Sequence, residues 1–139
     1  FMAAHPDTPR RKKPLYIVAE ILDSENVAHA YAAGADEVIE TTRLGFSLLA
    51  HSLSQHGSGA VMTSVAAAGA HSLYIGANPL KATTTFGELE RELRSRHSLV
   101  VLGLREPKSE KVEFNPAAER EVSPAHEVVY LAPKAVLEG

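Results

Sequence analysis

The run Leu15-Tyr16-Ile17-Val18-Ala19-Glu20-Ile21-Leu22 constrains the fold more than any other stretch of the chain. It is apolar throughout except for Glu20, the pattern of a strand covered on both faces of a parallel sheet. Asp23-Ser24 then offers an N-cap, Glu25 to Ala33 form an alanine-rich helix, and Gly34 supplies the left-handed stop. Asp36 to Ile39 read as a second short strand. Strand, helix and strand in so short a span make a βαβ unit, which belongs in an open α/β sheet.

Thr41-Thr42 reads as a capping pair, and the helix after it, Arg43 to Ser54, carries Leu44, Phe46, Leu48, Leu49 and Leu53. These positions place apolar side chains on more than one helical face. Gln55 to Gly59 is a flexible turn, and a second small-residue helix, Ala60 to Ala70, carries Val61, Met62 and Val65. Two such helices hold more apolar surface than a monomer usually exposes, which points to contact with a partner; packing against the sheet is the alternative.

From His71 the pattern changes. Ser72 to Gly76 is a strand and Asn78-Pro79 a turn, while Thr85-Phe86-Gly87-Glu88 has the spacing of a capping box. The helix it opens runs to about Arg96 with Phe86, Leu89 and Leu93 on one face. Leu99 to Leu104, Lys111 to Phe114 and Val128 to Leu131 come next as strands, with a hairpin loop at Glu106 to Glu110 and a turn at Asn115-Pro116. This β-α-β-β-β order is a small α+β lobe, and a lobe boundary falls near Gly69 to Ser72.

Composition removes whole classes of function. The 139 residues contain no cysteine, which excludes disulfides, thiolate zinc sites and cysteine nucleophiles. A net charge of −3 provides no basic field for nucleic acid. No run approaches a membrane span, and the amino terminus lacks the order of a signal peptide. The start at Phe1-Met2 reads as an internal piece of a longer polypeptide. The run Arg10 to Lys13, set among Pro6, Pro9 and Pro14, reads as a solvated connector.

Catalytic motifs are missing. His51 and His56 are five residues apart, not the three or four that put two ligands on one helical face, and there is no HExxH. No GxSxG elbow occurs, and Gly57-Ser58-Gly59 lies between helices, where it is a turn and not a phosphate cradle. Glu20 is the carboxylate with most to explain, because a charge in a doubly covered strand must be hydrated, paired or metal-bound. It lies toward the carboxyl end of its strand, where α/β sheets bind ligands, with Asp23 and Glu25 close behind. Glu20 and Asp23 are therefore candidate ligands for a hard divalent cation such as calcium. A strand-end Glu20 reaching water, with Asp23 acting only as a helix cap, is the competing reading.

Ala19-Glu20-Ile21-Leu22-Asp23-Ser24-Glu25-Asn26, followed by Ala33-Gly34-Ala35-Asp36-Glu37-Val38-Ile39, resembles the late βαβ unit of RCK domains, the KTN or TrkA-type regulators of potassium conductance. Leu44 to Ser54, Gly57 to Gly59 and Ala60 to Ala70 match that family's crossover helix, turn and second helix. Thr85 to Leu89, Leu99 to Leu104 and Asn115-Pro116 match its carboxyl-terminal lobe.

The resemblance implies an α/β fold: the end of a Rossmann-like parallel sheet, a helix-turn-helix crossover and a small α+β lobe. It divides the chain into a connector (1–14), the end of the amino-terminal lobe (15–42), the crossover (43–70) and the carboxyl-terminal lobe (71–139). Its GxGxxG turn and ribose acid are absent, so NAD or another nucleotide is implied only where a preceding Rossmann half is present. Ala125-His126 stands where the family has Gly-Asp, and Leu22 where calcium-gated channels carry a second acid; Glu20 matches their first.

The same resemblance implies a non-enzymatic, ligand-sensing domain on the cytoplasmic face of a membrane, joined to the pore of a prokaryotic potassium channel. It would assemble as a homodimer or ring through Leu44, Phe46, Leu48, Leu49, Leu53, Val61, Met62 and Val65. A regulatory subunit of a potassium transporter or cation/proton antiporter, and an ACT-like small-ligand module, are the alternatives.

Overall fold

A computed structural model of the chain describes residues 15–67, 70–107, 109 and 111–138. The expected connector at 1–14 lies outside the described residues. The chain forms two compact units, Phe1–Gly59 and Ala60–Gly139. The division falls at the start of the helix expected over Ala60 to Ala70, upstream of the boundary expected near Gly69 to Ser72.

In the first unit β1 (Val18–Ile21) pairs in parallel with β2 (Glu37–Glu40), with Val18 opposite Glu37 and Ile21 opposite Glu40. A single 3-10 turn (Ser24–Asn26) and α1 (Val27–Ala32) connect them, dividing the helix expected over Glu25 to Ala33. Gly34 at φ 99° ends that connection, a conformation that glycine adopts at no steric cost. The expectation of a doubly covered strand fails here. Residues of β1 alternate between exposed and half-buried, and none of the described residues of this unit is buried. Two strands and one short helix provide too little structure to close over both faces of a parallel pair.

Strand β2 runs without a loop into α2 (Thr41–Ser54). Thr41 is thus the first helical residue and not a cap; Glu40 holds the cap position and makes no side-chain capping bond. After α2 comes α3 (Ser58–Ala66), which starts two residues earlier than expected. Gly57 makes the turn at φ 89°, whereas Gly59 is helical, and a Cβ there would collide with Ser52 Oγ. Gly57-Ser58-Gly59 is therefore half turn and half helix.

The second unit holds the core. Strands β3 (Ser72–Ala77), β5 (Val100–Arg105), β6 (Val112–Phe114) and β8 (Glu127–Ala132) form an antiparallel sheet in the order β3-β8-β5-β6. A two-residue ladder joins β4 (Thr84–Thr85) to β7 (Glu121–Val122), an element absent from the expected β-α-β-β-β order. Two-residue strands carry no periodicity by which sequence could reveal them.

The expected capping box is present: the Thr85 hydroxyl accepts from Glu88 N–H and the Glu88 carboxylate accepts from Thr85 N–H, opening α4 (Phe86–His97). Phe86, Leu89 and Leu93 of α4 pack with Leu99, Val101, Leu104, Val122, Val128, Tyr130 and Ala132. Their spacing is what brought them onto one helical face. Tyr130 is fully enclosed, and its hydroxyl accepts the N–H groups of Val136 (2.9 Å) and Leu137 (3.1 Å), which ties the carboxyl-terminal segment down.

Candidate functional site

The carboxyl ends of β1 and β2 carry the polar cluster of the first unit. Parallel register sets Glu20 opposite Ile39 and Ile21 opposite Glu40, so both carboxylates lie at the carboxyl end of the pair, on its two opposite faces. Thr41 Oγ1 donates to Glu20 Oε1 at 2.9 Å, which ties the first turn of α2 to β1. Ser24 Oγ donates to Glu40 Oε2 at 2.6 Å, and Arg43 Nη1 lies 3.5 Å from Glu40 Oε1. Asp23 Oδ1 accepts the N–H of Glu25 at 3.2 Å.

Glu20 and Asp23, paired in the sequence reading as candidate cation ligands, make separate contacts, Glu20 with the Thr41 hydroxyl and Asp23 with the Glu25 N–H. Among the described residues no three His, Asp or Glu side chains gather where they could hold a metal ion. Sequence reasoning read Ser24 and Thr41 only as caps and did not single out Glu40. Their signal was available in retrospect, since a carboxylate directly followed by two threonines at a strand-to-helix junction places hydroxyls beside the neighbouring strand.

Helix α2 has its polarity reversed. Thr41, Gly45, Leu48 and Ser52, on one face, are half-buried. Phe46, Leu49 and Leu53, spaced i, i+3 and i+7 on the other side, are 68%, 64% and 81% exposed. Leu44, and Val61 and Met62 of α3, are exposed as well, whereas Val65 is half-buried. The half-buried face of α2 thus holds one leucine beside a glycine and two hydroxyl residues, while its other large apolar side chains are exposed.

In the second unit, His126 closes the turn between β7 and β8. The N–H of Ser123 donates to His126 Nδ1 at 3.0 Å, and Ser123 Oγ lies 2.9 Å from the same nitrogen. A neutral imidazole that accepts at Nδ1 carries its proton on Nε2.

No family model matches the chain, and no curated protein matches it. Among solved structures it is similar to the RCK domain of GsuK, at 23% identity and a TM-score of 0.44, covering 84% of this chain and 24% of that one. It is also similar to the GsuK channel bound to NAD, at 22% identity and a TM-score of 0.44, covering 86% of this chain and 20% of that one. A further structure of the GsuK channel gives 22% identity and a TM-score of 0.43. The chain thus spans a fifth to a quarter of the length of these solved chains. Among the described residues no helix is long and apolar enough to cross a membrane.

Proposed function

We propose that this chain is a non-catalytic regulatory module of a potassium channel, acting on the cytoplasmic face of the membrane and assembled with copies of itself. One observation carries the proposal: the AE…EN…AGAD-VI segment folds as a parallel βαβ unit that passes directly into a helix with an outward apolar stripe of Phe46, Leu49 and Leu53. Parallel sheets are normally covered on both faces, yet Val18 and Ile39 are exposed. Neighbours in an assembly supply that cover. Regulation is then a population shift, in which a ligand favours one arrangement of the assembled copies and the difference in affinity, typically ~1–3 kcal/mol, is the work available to the gate.

Sedimentation of the chain at tens of micromolar tests the assembly. The unaltered chain runs as a dimer or larger, and Leu49→Glu or Leu53→Glu returns it to a monomer with an unchanged circular dichroism spectrum. Because burying a leucine contributes ~1.5–3 kcal/mol, a charge there is enough to split a micromolar contact. A monomeric unaltered chain refutes the reading. The channel assignment is tested by potassium flux through vesicles containing the full polypeptide to which this chain belongs; ligand-dependent flux that Leu53→Glu leaves unaltered overturns it.

A further inference from the structure

The antiparallel sheet of the second unit ends on two unlike edges. β6 is three residues long, carries Glu113 and follows Lys111, the short and charged kind of edge to which other strands do not readily add. β3 has none of this protection. Its six residues, Ser72 to Ala77, include no charge and no proline, and its register with β8 runs without a shift. Tyr74 packs against the core, so Leu73 and Ile75 stand on the opposite face, where they are 51% and 39% exposed. The backbone of β3 is open as well. Ala77 N–H donates to the Glu138 carbonyl at 2.6 Å, outside the ladder, and backbone groups alternate sides along a strand. Ile75 and Leu73 therefore also turn their N–H and carbonyl groups away from β8. Among the described residues no backbone group outside the sheet bonds to either one.

An extended strand adds to such an edge through backbone bonds, and its side chains decide which strand fits. β3 itself fits. It is uncharged, so a second β3 sets no like charges against one another. A two-fold axis through Tyr74 places Leu73 opposite Ile75 of the second copy and Ile75 opposite its Leu73. Both are then hydrogen-bonded pairs that exchange two backbone bonds each, and their apolar side chains meet on the outer face. An axis through Ile75 would instead draw on Ala77, whose N–H is already taken. We propose that β3 pairs antiparallel with β3 of a second copy about a two-fold axis at Tyr74, joining the two sheets into one. This contact lies wholly within the second unit and does not rest on the apolar stripe of α2. Single strands bury little surface, so it fills only as protein rises from tens of micromolar toward millimolar.

The chain contains no cysteine, so cysteines placed singly report on the pairing. Leu73→Cys and Ile75→Cys are made separately in the full chain; both side chains are exposed, and an unchanged melting temperature shows that each variant is folded. In a glutathione redox buffer a mixture of the two forms a disulfide-linked dimer, because the Cα atoms of a hydrogen-bonded pair lie ~5.5 Å apart, within the span of a disulfide. Either variant alone gives about tenfold less, since its two cysteines sit diagonally, roughly 7–8 Å apart. Native-state hydrogen exchange on the unaltered chain is the second measurement. The amides of Leu73 and Ile75 slow by about tenfold between micromolar and millimolar protein, while those of β6 do not change. Absence of the mixed disulfide, a self-linked dimer of either variant in equal yield, or exchange at Leu73 and Ile75 that is independent of concentration overturns the proposal.

Discussion

Replacing Tyr130 by phenylalanine removes one oxygen atom and keeps the ring. The ring is fully enclosed and lies 5.6 Å, centroid to centroid, from Tyr74, so its packing is preserved. What is lost is the acceptor for the N–H groups of Val136 and Leu137. A neutral hydrogen bond contributes ~0.5–1.5 kcal/mol net, so two predict a loss of about 1–3 kcal/mol. The loss has a location. Glu138 accepts the N–H of Ala77 at 2.6 Å through its carbonyl, and a Cβ on Gly76 would lie 2.5 Å from Leu137 Cβ, so residues 136–138 lie against the end of β3.

Without the hydroxyl this segment detaches before the sheet does. Native-state hydrogen exchange on Tyr130→Phe should therefore show the amides of Ala77, Val136 and Leu137 losing about 5- to 150-fold in protection, the range that corresponds to that energy. The amides of β5 and β8 should lose less. Equal protection at Val136 and Leu137 in both proteins refutes the claim that the Tyr130 hydroxyl holds the segment. A uniform loss across β5 and β8 refutes the claim that its effect is local.

Single positions elsewhere in the second unit give two more expected outcomes. A Cβ at Gly103 would collide with the carbonyl oxygen of Glu113, so Gly103→Ala should separate β5 from β6 and destabilise the second unit by about 1–3 kcal/mol in urea unfolding; an unchanged midpoint contradicts this. The Glu88 carboxyl is held below its ordinary range, chiefly by the Thr84 hydroxyl, then by the backbone and side chain of Thr85, with Arg91 adding a smaller attraction. A lowered folded value means stability that is complete above the ordinary carboxylate range and is lost as pH falls through the folded value. Glu88→Gln should accordingly melt below the unaltered protein near neutral pH and converge with it in acid, and a gap that persists at low pH contradicts the assignment.

Much of the local structure was legible in the residues themselves. Gly34 stops the first connection through its own backbone freedom at positive φ, and Thr85 with Glu88 caps α4 through side chains three residues apart, so both features are local. Phe86, Leu89 and Leu93 form a core face for the same reason, their period being that of the helix. Thr41 shows where such reasoning stops: a threonine before an apolar run reads as a cap, yet its hydroxyl serves Glu20, 21 residues earlier, because the parallel register sets the two strand ends side by side.

Glu20 itself seemed costly because an apolar strand implies burial on both faces. Only the folded first unit, which has too few strands to provide that burial, leaves this carboxylate exposed and content with a threonine. Sequence determined which segments became helices and strands, through periodicity and caps that act over a few residues. Tertiary structure decided which charges share a surface, because residues far apart in the chain become neighbours only through strand register.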